Sequence, residues 1–273
     1  MTSLADTAPD RQQKSADGVE YFEYSPESRL LLAFFTRSGG VSRGEYESLN
    51  TSFAVGDDAH NVEENLARAR RALGLPAIIT VKQTHSDKVL AVAHERTPSD
   101  TLEGDACITD RAGIGLGLNV ADCLPVYIYA EYPRCIGIVH CGWRGTAARL
   151  AEKTARQMSR RFHVPLSDLR FALGPSICPN CYEVGDDVLR EFSKTFPLPD
   201  RFFSPVRKGT VPAGGLSPKY HLDIRAANRW LLDKVGLLET NSIERCTFEN
   251  DGLFFSARRD KTTGRNLALI ALR

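Results

Sequence analysis

Two apolar runs separated by four residues constrain this chain more than any other feature. Residues 124–130 and 135–139 are short, rich in Val and Ile, and bounded by turn formers, the pattern of two buried neighbouring strands. The connection 131–134 is short enough for a hairpin. Cys123 stands just before the first run and His140 just after the second. In an antiparallel pair the start of one strand lies beside the end of the other. A soft, ionisable sulfur and an imidazole are therefore expected at one end of one sheet, which suits a metal centre or a nucleophile paired with a base.

Around that hairpin, 273 residues of which 42% are hydrophobic supply a substantial core. Residues 1–18 are polar and aperiodic and read as a mobile tail, which leaves 19–273 as a single domain without repeat or linker. A net charge of +1 gives no broad nucleic-acid surface. No apolar run approaches the roughly 20 residues of a membrane helix, and no signal core opens the chain. Seven cysteines, an odd number without small-scaffold spacing, read as reduced thiols in the cytoplasm.

Residues 30–36 read as a buried strand. It ends in the loop 37–44, where Arg37 and Arg43 flank adjacent glycines that can approach an anion or simply form a surface turn. A helix is expected over 58–73, with Val62, Leu66, Ala69 and Leu73 on its apolar face and Gly74 as its stop. Short strands at 77–82 and 88–93 place His85 on the polar turn between them. Residues 103–110 and 113–120 read as further strands feeding the hairpin. A helix capped by Thr146 is expected to run to Phe162 with Glu152, Lys153 and Arg156 facing out. Trp143 and Arg144 precede it, where free N–H groups favour an anion. Arg144 then serves either as a phosphate clamp or in a structural ion pair.

Further on, 169–174 reads as a strand and 186–196 as a helix. Cys178 and Cys181 form a CxxC with no second CxxC at zinc-ribbon spacing. Residues 197–217 read as a long loop able to act as a lid. A strand-to-helix segment from Tyr220 is expected to end near Val235, and 247–256 and 266–272 read as the last strands.

If folding brings His85 to Cys123 and His140, two imidazoles and a thiolate make a catalytic zinc triad. Zinc takes imidazole nitrogen at about 2.0–2.1 Å and thiolate sulfur at about 2.3 Å, and it lowers the pKa of water to about 7. Without a metal, Cys123 and His140 make a thiol–imidazole dyad. A packed cysteine and two unrelated histidines are equally compatible with the spacing.

Several separated segments resemble the YfiH-type family, also called the laccase-domain or polyphenol-oxidase family and the peptidoglycan-editing-factor family. They are R-S-G-G-V-S-R-G at 37–44 with S-L-N at 48–50, G-D-D at 56–58, K-Q-T-H at 82–85, A-D-C-L-P-V at 121–126, H-C-G-W-R-G at 140–145, G-P-S at 174–176, Y-E-V at 182–184, and F-F-S-A-R-R-D at 254–260 with Gly264 and Arg265. Order and many intervals agree from about residue 30 to 273. The resemblance implies an α+β fold, a single-domain layered α/β/β/α sandwich of mixed sheets flanked by helices. It further implies zinc held by His85, Cys123 and His140, and purine nucleoside chemistry. That chemistry is phosphorolysis of adenosine, inosine, guanosine and methylthioadenosine to base and ribose 1-phosphate, with adenosine deamination.

On this reading the catalytic candidates are His85, Cys123, His140 and Arg144, and the substrate-binding candidates are Arg37, Arg43, Asn50 and Arg258. Asp122 and Glu183 are candidates for protonating the leaving base. Two other classes stay open: a cysteine hydrolase or transferase acting on amides or cell-wall precursors through Cys123 and His140, and a copper-dependent phenol oxidase, for which six histidines are few. Cys141 stands where family members often carry alanine, and Cys178 where glycine is common. These thiols bring a second metal or redox behaviour into play, and neither is expected.

Overall fold

The computed structural model describes residues 11–24, 29–93, 102–206 and 218–273. Two six-stranded mixed sheets stack face to face. The first has the order β1 (Arg11–Lys14), β2 (Glu20–Glu23), β3 (Leu30–Phe35), β15 (Asn266–Leu272), β7 (Ile114–Val120), β4 (Ala77–Thr80). The second has the order β14 (Leu238–Glu239), β10 (Arg170–Leu173), β8 (Leu124–Glu131), β9 (Arg134–Cys141), β6 (Ala106–Thr109), β5 (Val89–Ala91). A small third sheet joins β11 (Glu183–Gly185), β13 (Lys219–Leu222) and β12 (Phe203–Pro205). The helices are α1 (Ala59–Leu73), α2 (Trp143–Ala147), α3 (Leu150–Phe162), α4 (Asp186–Ser193) and α5 (Ile224–Lys234).

Strand alternation builds the layers. In β3, Leu30, Leu32 and Phe34 face the second sheet, where they meet Tyr127, Ile136 and Ile138. Leu31, Ala33 and Phe35 face the other way, onto Ala69 and Leu73 of α1. On the far side of the second sheet, Val126, Ile128 and Val139 pack against Leu150, Ala151 and Met158 of α3 and against α5. The result is the α/β/β/α sandwich. The central hairpin pairs β8 with β9, with Pro125 opposite His140 and Leu124 opposite Cys141.

Several expectations are corrected. Residues 11–18 are not a tail: β1 pairs with β2, and Gly18 at φ 80° turns the chain between them. Ladder hydrogen bonds, not an apolar face, hold this polar edge strand; residues 1–10 lie outside the described residues. Strand β7 belongs to the first sheet, between β15 and β4, and so does not extend the hairpin's sheet. The helix expected from Thr146 begins at Trp143 and breaks at Arg149, whose φ is 60°. There Glu152 turns inward, buried and paired with Arg149 and Arg156. Residues 247–256 form turns instead of a strand, because the Arg259 guanidinium takes the carbonyls of Thr247, Phe248 and Phe254. Within the expected lid, a 3₁₀ turn at Pro199–Phe202 and β12 are ordered, and residues 207–217 lie outside the described residues.

Candidate active site

Two crossings between the sheets build the site. Residues 81–88 lead from β4 in the first sheet to β5 in the second, and residues 121–123 lead from β7 to β8. Both pass the end of β9, so His85, Cys123 and His140 converge, their ligand atoms within 4.8 Å of one another. The rings of His85 and His140 lie 5.0 Å apart between centroids.

The crossings are tight, and two non-glycine residues take left-handed backbone, His85 at φ 56° and Asp122 at φ 86°. Such conformations cost about 1–3 kcal/mol each unless surroundings enforce them. Asp122 is held by the Thr247 hydroxyl and the Arg258 N–H, each donating to its carboxylate at 2.7 Å. The His85 turn is held by Asp105, whose carboxylate accepts the N–H groups of Thr84, His85 and Ser86 at 3.2, 3.0 and 2.7 Å. Gly142 leaves the end of β9 so close to the cluster that a Cβ there would stand 3.0 Å from the Cys123 Sγ and 3.2 Å from the His85 Nδ1.

Asp105 is fully buried and lies 2.9 Å from the His140 Nδ1. Burial alone would raise its carboxyl, but hydrogen bonds from His140 and Ser86 outweigh burial and hold it well below the usual carboxylate range. An ionised Asp105 fixes the proton on the His140 Nδ1 and leaves Nε2 for a ligand. For His140 itself, burial disfavours the imidazolium, yet Cys123 and Asp105 outweigh it and push the imidazole up to about 9. His85 is exposed on the cavity side, and partial desolvation, then the charges of His140 and Arg144, push it down. Two imidazoles and a thiol beside a tautomer-fixing carboxylate fit a zinc-type ion with one position open. The cluster opens into a cavity of about 490 Å³ lined also by Phe53, Gln83, Asn119 and Arg265.

The other sequence candidates separate. Arg144 is exposed, its guanidinium 4.2 Å above the Trp143 ring. Arg258 lies across Cys123 from the cavity, in a cleft of about 190 Å³, 5.3 Å over the Tyr182 ring. Asn50 is buried behind the cavity wall, where its Oδ1 accepts the backbone N–H of Arg265 at 3.0 Å and of Ser52 at 3.2 Å. It positions the wall from behind.

Arg37 is corrected: it donates to the carbonyls of Glu47 and Asp251, stacks on Phe255 and lines a separate cleft. Arg43 is exposed and does not line the cavity. The glycines between them allow close backbone packing; a Cβ at Gly40 would stand 2.1 Å from the Ser48 carbonyl oxygen. Asp122 spends its carboxylate on the crossing, and Glu183 gives its carbonyl to Arg258 and does not line the cavity. Sequence reasoning missed Asp105, because an acidic residue entering a strand has no distinctive spacing. It also missed Phe53, a large apolar side chain 38% exposed at the cavity. Arg265 entered the sequence reading through the family resemblance, with no role assigned to it.

Residues 31–273 match the model of the family described as multi-copper polyphenol oxidoreductase laccase. A purine nucleoside phosphorylase YlmD of Geobacillus stearothermophilus is 35% identical, over 97% of this chain and 98% of that protein. An adenosine deaminase from an unknown prokaryotic organism is 36% identical, over 88% of this chain and 93% of that protein. Among solved structures, the YfiH protein of Bacillus licheniformis superposes with a TM-score of 0.83 at 30% identity, covering 93% of this chain and 96% of its own. The YlmD structure from Geobacillus stearothermophilus gives 0.82 at 32% identity, over 97% and 100%.

Proposed function

We propose, from the premise that the chain belongs to the multi-copper polyphenol oxidoreductase laccase family, that it is a zinc-dependent purine nucleoside phosphorylase that also deaminates adenosine. Relatives bearing the names purine nucleoside phosphorylase and adenosine deaminase match it over most of both chains. The observation that carries the reading is the convergence of His85, Cys123 and His140 on the wall of a cavity of about 490 Å³. That volume lies in the usual range for small-molecule sites.

Zinc held by these three side chains would supply Lewis acidity and a water of lowered pKa. The chain's own residues do the rest. Phe53 offers an apolar face for a purine, and Asn119 and Gln83 offer polar edges beside it. In phosphorolysis a phosphate oxygen bonds to C1′ while the C1′–N9 bond breaks and its electron pair leaves on the base. The transition state is cationic at the sugar, so holding the phosphate anion beside it is the main task. Of the candidate cations Arg265 lines the cavity; Arg144, whose charge reaches His85, and Arg258, in the cleft across Cys123, are the further candidates for that task. In deamination water adds at C6 and ammonia leaves. Asp105 keeps His140 in one tautomer throughout. Guanosine, inosine and methylthioadenosine are further candidate substrates, since each carries the purine and the C1′–N9 bond that phosphorolysis breaks.

The donor set of two imidazoles and a thiolate also admits copper. An oxidase with several coppers needs further imidazole clusters, and the second ligand group among the described residues holds none. No helix among them is long and apolar enough to cross a membrane. We place the enzyme in the cytoplasm because its seven thiols are free.

The test is to incubate metal-analysed protein with adenosine and phosphate. Adenine, ribose 1-phosphate and inosine should form, and the His85→Ala and Cys123→Ala variants should form none above background. Wild-type turnover no greater than theirs removes the proposal. Activity that survives metal removal yet dies with iodoacetamide would transfer the chemistry to a Cys123 thiolate.

A further inference from the structure

A second group of ligand side chains stands outside the site just described. Cys178 precedes and Cys181 ends the short 3₁₀ turn Pro179–Cys181, and the chain returns beside them at Cys246 and Glu249. The three sulfurs and one carboxylate oxygen lie within 4.8 Å of one another. Glu249 Oε1 is 3.4 Å from the Cys181 Sγ and 3.7 Å from the Cys178 Sγ. For a tetrahedral zinc with its usual Zn–S and Zn–O bond lengths, the S···O edge is about 3.5 Å. The two observed edges bracket that value. The Cys178 N–H also donates to the Cys246 Sγ at 3.3 Å, the kind of backbone bond that supports a thiolate ligand.

We propose that Cys178, Cys181, Cys246 and Glu249 bind a second metal ion, of the zinc class, in a closed structural site. Four protein ligands leave no open coordination position, so the ion's part is to lock loops together. Three thiolates and a carboxylate outweigh a divalent ion by two charges, and the adjoining cleft of about 270 Å³, where Arg225, Arg229 and Arg245 stand beside Asp223 and Glu244, offsets that excess in part.

The lock reaches the active site through its sequence neighbours. Ile177, next to Cys178, donates its N–H to the Asp122 carbonyl at 3.0 Å. Thr247, next to Cys246, donates its hydroxyl to the Asp122 carboxylate at 2.7 Å. Asp122 is the left-handed residue that presents Cys123. Fixing the two loops therefore fixes the crossing that carries the first metal's sulfur ligand. The proposal does not depend on which reaction the first site performs.

The experiment measures bound metal per chain in the full-length protein after equilibration with zinc and gel filtration. The His85→Ala/Cys123→Ala double variant should retain one ion, and adding Cys178→Ser and Cys181→Ser should abolish it. Cobalt loaded into the His85→Ala/Cys123→Ala protein should give sulfur-to-cobalt charge-transfer absorption and intense tetrahedral d–d bands. Where the Cys178→Ser/Cys181→Ser protein fails to fold, Glu249→Gln serves instead, with weaker cobalt affinity and the sulfur bands retained. A chelator should also lower the melting temperature of the His85→Ala/Cys123→Ala protein. Absence of bound metal and of cobalt bands in folded His85→Ala/Cys123→Ala protein overturns the proposal. So does a mass two hydrogens below the reduced value with Cys178 cross-linked to Cys181 or Cys246 in protein isolated without oxidant.

Discussion

His140 concentrates the electrostatics of the active site in one side chain. Its value is raised from 6.5 to about 9, so the imidazolium form is stabilised by folding. The sign follows from linkage: this contribution is present in full below pH 6.5 and is lost as the pH rises through about 9. Protein stripped of metal should therefore lose melting temperature across that window. Metal-loaded protein should not show the decline, because the ion replaces the proton; parallel melts with and without chelator at fixed ionic strength check it. Asp105 is the partner to remove. Asp105→Asn keeps the shape but loses the charge that fixes the His140 tautomer, and metal affinity should fall about 10–100-fold in a chelator competition. Unchanged affinity would show that Asp105 serves the turn at Ser86 alone. His140 and Cys123 were legible as a pair because hairpin geometry puts strand start beside strand end. Asp105 was not, because its role exists only where β6 lies against β9 and the His85 turn.

At the scale of elements, α1 was read from periodicity and its glycine stop, and those signals are local. Asp58 caps it and Gly74 ends it in left-handed backbone. Its buried face nevertheless includes Asn65, while Leu66 is only half-buried. Asn65 is buried because it anchors the glycine-rich loop, accepting the Val41 N–H at 2.9 Å and donating to the Ser42 hydroxyl and the Asn50 carbonyl at 2.9 and 2.7 Å. Asn65→Ala should lower unfolding free energy by about 1–3 kcal/mol, the penalty for stranding buried polar partners, measured by denaturant titration. Loss of less than a few tenths would mean that water takes over those bonds. The run 247–256 misled for the same reason in reverse. Apolar content suggested a strand, but the carbonyls of Thr247, Phe248 and Phe254 belong to Arg259.

At the scale of the whole molecule, the two sheets are joined by apolar contact and by a few buried polar bonds. Tyr127 of β8 is fully buried and donates its hydroxyl across the interface to the Ala33 carbonyl of β3 at 3.0 Å. Tyr127→Phe keeps the ring and removes that bond, and should cost about 1 kcal/mol in a denaturant titration. A larger loss would mean that the hydroxyl also holds the sheets in register.

The sequence by itself determined the strand hairpin, the helix at α1, the donor types and the family. Each depends on neighbours along the chain or on motifs preserved as strings. Only the tertiary structure decided that β7 and β8 lie in different sheets, that His85 meets Cys123 at a crossing between them, and that Cys246 and Glu249 return to the CxxC. The physical reason is common to all three. Side chains far apart in sequence are brought together by the burial of sheet faces, and that burial is indifferent to the chemistry it aligns at the sheet ends.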